Sequence, residues 1–404
     1  MTPDEADLPP IISVDDHILE PRDLWSRALP PSMRDRGPRV VRERARLGFK
    51  GGRLLLERDV ADGTWCDLWC FEDLVVPTGL LHAPVGRPPE EQENLPAVYE
   101  DFRPGTYDQA ARLRDMDENH VEASINYPNT FPRFAGQGFA ERTDHDLGLA
   151  ALQVYNDWMI EEWCGGAGRG RLIPLTLVPL WDPELAAAEV QRCAAKGSYA
   201  IAFTENPAKL GFPSLHSGKW DPLWAACEET HTVVSMHIGS SSSMPTTSDD
   251  APLAVSMSLN AQNAQGSVCD WIFSRTLERF PSIKLAYAES QAGWMPFLFE
   301  RMDGVWHEGV GGVELPEPPS SYAKGRIYGC IFDDAHALRS RDEIGVEHLL
   351  FESDYPHANG TWPHTRAVAH RLCEAAGMDA EECARLVRKN AIDCYGLERF
   401  GIAA

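Results

Sequence analysis

Four short stretches carry the side chains that can do chemistry. Asp15, Asp16 and His17 stand directly behind the apolar pair Ile11-Ile12, His237 closes the run TVVSMH, Glu289 closes IKLAYAE, and Asp354 and His357 lie together in ESDYPH. Imidazole and carboxylate are the donors of divalent-metal centres and the usual groups of acid–base catalysis. Asp15 and His17 are two residues apart, and alternate residues of an extended strand point the same way. Both therefore reach one point, and Asp16 points elsewhere. Two imidazoles and several carboxylates facing one cavity repel or stay unsatisfied unless a cation sits among them, and a divalent metal fits both donor types. The serines Ser240 to Ser243 add hydroxyls after His237, but no Ser-His-Asp spacing or nucleophile elbow accompanies them.

These residues meet only if a fold gathers strand ends. From Thr106 onward the chain alternates regularly. VEASINYP, LIPLTLVPL, SYAIAFT, TVVSMHIG, IKLAYAES, RIYGCIF and EHLLFES read as short buried strands, each answered by a helical pattern such as PELAAAEVQRCAAKG. With IISVD the strands number eight, the pattern of a (β/α)8 barrel, an α/β TIM barrel, in which the C-terminal strand ends converge on one mouth. A doubly wound open sheet normally carries a Gly-rich phosphate loop after its first strand; here that turn is Asp15-Asp16-His17. Residues 26–105 break the alternation with RVVRER, RLLLERDV and GTWCDLWCFEDLVVP between glycine turns, then a Pro-rich loop. The expectation is one domain over 1–404 with a cap or lid subdomain inserted at 26–105.

Composition narrows the partners. With 404 residues and 43% hydrophobic side chains the chain buries a large core, and a net charge of -24 opposes nucleic acid and anionic membrane surfaces. A small-molecule substrate is expected. Ten cysteines without paired spacing read as reduced thiols, and no basic-plus-apolar leader or membrane-spanning run is present, so a cytoplasmic protein is expected.

DDHILEP, SMHIGSSS, AESQAGWMPFLFERMD and ESDYPHANGTWP, in this order, resemble the amidohydrolase-related metalloenzymes of the aminocarboxymuconate-semialdehyde decarboxylase type, the amidohydrolase 2 family. MDENHVEASINYPN, YNDWMIEEWC and RLIPLTLVPLWDPELAAAEVQRC fit the same pattern. The resemblance implies Asp15, His17, His237 and Asp354 as metal ligands, with Asp354 also orienting the reacting group, and a homodimer. Family decarboxylases carry histidine where this chain has Glu289, and His-x-His or Glu-x-His where it has Asp-x-His. Glu289 thus either positions a metal-bound water or ligates a second ion. One or two divalent ions, zinc or alternatively iron or manganese, are expected.

The leading expectation is a metal-dependent hydrolase whose activated water attacks an acyl carbon (amide, ester, lactone or thioester), with Asp354 or Glu289 moving the proton. The alternatives are non-oxidative decarboxylation of an aromatic or muconate-type acid, and a barrel that only binds. His357 reads equally as a substrate contact, an orienting residue or a surface loop residue. Simpler roles compete elsewhere: Glu289 as cap of the helix near Gly293, Glu20 in a polar network with Arg22 and Asp23, Cys66 and Cys70 as buried thiols, and Glu90, Glu91 and Glu93 as a solvated acidic face.

Overall fold

A computed structural model describes residues 2–50, 53–88, 95–312 and 314–403. Glu90, Glu91 and Glu93 lie outside the described residues. Strand β1 (Ile11–Ile18) is buried along its whole length, charged residues included. Four strands follow, β2 (Arg39–Lys50), β3 (Arg53–Arg58), β4 (Thr64–Phe71) and β5 (Leu74–Pro77), forming an antiparallel sheet in the order β3-β2-β4-β5. Alternation along β4 explains its docking. Cys66, Leu68 and Cys70 pack into a small cluster with Ala45, while Trp69 and Phe71 enter the main core. There Trp69 meets Trp25 edge-on at 5.1 Å and Phe71 meets Phe131 at 5.7 Å. Asp67, on the same strand, takes both arms of Arg42 at 2.7 and 2.9 Å.

The rest is helix and parallel strand. Strands β6 (Val121–Pro128) and β7 (Leu172–Pro174) join β1 in one parallel sheet, β1-β6-β7. A second parallel sheet runs β8 (Thr176–Leu177), β9 (Ala200–Phe203), β10 (Val233–His237), β11 (Leu285–Ala288), β12 (Ile327–Ile331) and β13 (Leu349–Phe351) in sequential order. LIPLTLVPL, expected as one strand, divides: Leu172–Pro174 pairs with β6 and Thr176–Leu177 with β9. Pro174 stands at the break, where it has no N–H to continue a ladder. Beyond β13 the chain bonds to β1. The Ser353 N–H donates to Ser13 Oγ at 2.8 Å, the Asp354 N–H to the Asp15 carbonyl at 3.0 Å and the His17 N–H to the Tyr355 carbonyl at 2.6 Å.

Helices begin where aspartate accepts from first-turn N–H groups: Asp108 before Gln109–Glu118, Asp144 before His145–Trp158 and Asp182 before Pro183–Ala195. A further helix, Leu253–Leu259, lies between β10 and Gln262–Phe273. The segment after it divides into Gln262–Phe273 and Thr276–Arg279 because Arg275 adopts a left-handed φ of 61°. Among the described residues no helix is long and apolar enough to cross a membrane.

Candidate metal centre

The strand ends bring six predicted side chains into one buried cluster. Asp15 and His17 come from β1, where pairing with β6 is irregular between Ser13 and Asp16. His237 is the last residue of β10, Glu289 directly follows β11, and Asp354 and His357 follow β13. His17 Nε2 lies 3.1 Å from His237 Nε2. Asp15 offers Oδ1 to His17 Nε2 and Oδ2 to His237 Nε2, each at 3.3 Å. Asp354 Oδ1 is 3.7 Å from His17 Nε2 and 2.8 Å from His357 Nδ1, and Glu289 Oε1 is 3.5 Å from His237 Nε2 and 3.2 Å from His357 Nδ1. The His357 ring stacks on that of His17 at 3.9 Å. Glu289 and Asp354 both adopt left-handed φ, 53° and 50°, a conformation that costs a non-glycine residue about 1–3 kcal/mol and that surrounding structure must enforce.

Second contacts orient the imidazoles. His17 Nδ1 faces the Pro128 carbonyl at 3.1 Å and His237 Nδ1 the Ile238 carbonyl at 2.7 Å. A carbonyl only accepts, so each Nδ1 carries the proton and each Nε2 turns its lone pair on the cluster, the arrangement of a metal-ligating histidine. Neither oxygen of Asp15 or Asp354 accepts a hydrogen bond, although all four are buried. Facing lone pairs and orphaned buried carboxylate oxygens fit a divalent cation. Two overlapping sets can hold one: Asp15, His17, His237 and Glu289, and His17, Glu289, Asp354 and His357. Within each, one ligand atom per residue lies within 4.8 Å of the others.

The charge states answer to the same crowding. Burial, then the charge of His357, hold His17 down to about 4, so it stays neutral. Burial also opposes charge on His237, but Glu289 and Asp15 outweigh it and raise that imidazole well above its ordinary value. A proton there and a metal ion meet the same electrostatic demand, and only the ion satisfies all the donors. Burial pushes the Asp15 and Glu289 carboxyls up, yet His237 and its neighbours bring Asp15 below its ordinary value and Glu289 well below its own. Asp354 is raised well above it, by burial above all. Against the same burial, Asp354 and Glu289 raise His357 to about 10.

Other candidates fall outside the cluster. Asp16 turns away and accepts from the Ser13 and Ser353 hydroxyls at 2.9 and 2.6 Å. Glu289 does not cap the following helix, Met295–His307, which has no side-chain cap; Asp334 accepts from the Ala292 and Gly293 N–H groups ahead of it. Glu20 accepts from the Asn129 N–H and the Thr130 hydroxyl. Ser240 accepts from the Glu205 N–H and Ser241 from Asn263, so these serines shape a loop. Cys66 and Cys70 are buried free thiols.

A cavity of about 370 Å³ opens on Glu289, Asp354 and His357. Three neighbours were missing from the sequence reading. Phe134 stacks on His237 at 4.0 Å and His82 reaches the cavity from the 26–105 segment, but nothing local in the sequence marks either. Glu352 is buried, and both its oxygens accept from the Glu289 N–H at 3.2 Å. Its spacing of two from Asp354 in FESD was a usable signal.

The amidohydrolase family pattern matches residues 81–397. The chain belongs to the amidohydrolase family. Within this amidohydrolase the matched span holds His237, Glu289, Asp354 and His357, whereas Asp15 and His17 precede it and join the site by contact. An amidohydrolase from Mycobacterium avium subsp. paratuberculosis K-10 has a similar fold, with TM-score 0.69 and 22% identity over 96% of this chain and 99% of that one. A 5-carboxyvanillate decarboxylase from Sphingomonas paucimobilis follows at TM-score 0.58 and 20% identity, covering 76% and 88%. A dihydroxybenzoic acid decarboxylase from Polaromonas sp. JS666, with bound manganese and the inhibitor 2-nitroresorcinol, covers 97% and 98% at TM-score 0.59 and 14% identity. At these identities the likeness is one of fold.

Proposed function

We propose that this amidohydrolase is a metal-dependent non-oxidative decarboxylase of a small carboxylic acid. In this reading the two parallel sheets close into a (β/α)8 barrel across the β13–β1 bonds, and the 26–105 segment caps its mouth through His82. The observation that carries the chemistry is the Asp354–His357 pair, 2.8 Å apart at the cavity wall. The Asp354 carboxylate, with Glu289 beside it, favours the His357 imidazolium. The pair therefore retains a proton at neutral pH. When the carbon–carboxylate bond breaks and carbon dioxide leaves, the electron pair stays on carbon, and this proton closes the valence.

Asp15, His17 and His237 of the first set, joined by Asp354 of the second, would hold the metal, which when bound supplies the positive charge that fixes the substrate carboxylate. Mixed carboxylate and imidazole donors suit zinc, iron or manganese, and the manganese of the Polaromonas decarboxylase makes that ion the first to load. Glu289 favours a second reading, hydrolysis, because a carboxylate between His237 and His357 can hold a water for attack on an acyl carbon.

Turnover of aromatic acids by manganese-loaded protein in heavy water separates the two readings. Decarboxylation places one deuterium on the carbon that lost its carboxyl and releases carbon dioxide. Incorporation of oxygen-18 from labelled water into ester or amide substrates, without carbon dioxide, would establish hydrolysis instead. Absence of both, with no effect of chelators, would leave a binding protein.

A further inference from the structure

The cavity differs sharply between its two ends. One end is the charged cluster. The remaining wall is built from Phe134, Ile238, Met244, Pro245, Leu253 and Met257, with polar relief from His82 and three asparagines. No lysine or arginine lines it among the described residues. Nearby cations are already partnered: Lys209, behind the wall, donates to Asn263 Oδ1 at 2.8 Å, and Arg133 pairs with Glu141 at 3.3 Å. The His357 ring faces Asp354 and Glu289. A second anionic group on a bound molecule would thus lose its water without gaining a partner, a costly transfer.

The open side is apolar as well. Leu253 and Met257 stand one helical turn apart on Leu253–Leu259, each 43% exposed although both line the cavity. Residues at this spacing share a helix face. A cavity of about 370 Å³ falls in the range that encloses molecules larger than one ring.

We infer that the substrate carries a single anionic group, at its reacting end, on an uncharged apolar body that runs past Phe134 and Met244 onto the Leu253–Met257 face. The inference rests on the decarboxylase reading for the acid head and on the wall alone for the body. Titration calorimetry of the manganese-loaded protein with benzoate, 4-butylbenzoate and terephthalate tests it. Each buried methylene is worth about fourfold in affinity, so 4-butylbenzoate should bind at least tenfold tighter than both benzoate and terephthalate. Met257→Asp and Leu253→Asp, at half-exposed positions that tolerate charge, should each cut the 4-butylbenzoate to benzoate ratio at least fivefold. Terephthalate binding as tightly as 4-butylbenzoate, or ratios unmoved by both variants, overturns the inference. If no acid binds, the decarboxylase reading loses its head group, and 4-butylbenzamide then reports on the body alone. Binding of the amide that weakens in Met257→Asp sustains the apolar body, and absence of amide binding refutes it.

Discussion

Glu289→Gln keeps the shape of the side chain and removes one negative charge between two imidazoles. Glu289 Oε1 lies 3.5 Å from His237 and 3.2 Å from His357. Breaking a buried pair by removing one partner costs about 3–5 kcal/mol. Here each imidazole keeps a second carboxylate, Asp15 at 3.3 Å and Asp354 at 2.8 Å, so the loss in chelator-treated protein should be about 2 kcal/mol. For 404 residues at the usual entropy of unfolding, that lowers Tm by about 2–3 °C. The Glu289 carboxyl is held below its ordinary value, so its contribution is present above the unfolded pKa and fades only as pH falls through the lower folded one. The neutral-pH difference should vanish in acid. Manganese at a thousand times Kd should stabilise the native chain by about 4.1 kcal/mol. Should Glu289 ligate or orient the ion, the variant should lose about 10–100-fold in affinity, and a bridging role would also cost one bound metal. Differential scanning calorimetry with and without manganese, paired with elemental analysis and turnover, measures all three. Unchanged Tm, metal content and rate in Glu289→Gln would refute this account of the site.

His237→Ala should lower metal content and turnover together, by elemental analysis and rate; full occupancy with normal turnover would place the metal elsewhere. The raised pKa of His357, about 10, predicts that its pairing stabilises chelated protein fully below pH about 6.5 and is lost as pH rises through about 10. Tm should therefore fall across that window, more steeply than in His357→Gln; equal slopes would show that the pair adds nothing. Asp334 accepts from Ala292, Gly293 and Ala337, so Asp334→Ala should cost about 1–2 kcal/mol by denaturant unfolding. Metal affinity should hold, and a loss there instead would tie Asp334 to the centre.

Much of the scaffold was legible because strand and helix repeat with different periods and stop at recognisable residues. The buried runs that became β1, β6 and β9 through β13, and the aspartate starts of their helices, follow from patterning local to each segment. The division of LIPLTLVPL and the bend at Arg275 were not legible, since each depends on the neighbour that a strand or helix end meets.

The sequence by itself determined which groups could bind a cation. The two-residue spacing of Asp15 and His17 aims both at one point on any strand, and ordered motifs at the ends of four strands bring imidazoles and carboxylates to one mouth. Tertiary structure decided what those groups do. Glu289 faces His237 from a turn whose next N–H groups, Ala292 and Gly293, are taken by Asp334, which arrives from 45 residues further along. The neutrality of His17, the raised Asp354 and the orphaned oxygens of Asp15 arise from burial beside charges distant in sequence. Phe134 joined the site from a turn and His82 from the end of a single 3-10 turn, segments too short to show periodicity. Electrostatic fields and cavity walls are sums over neighbours in space, and a linear pattern carries only the neighbours in sequence.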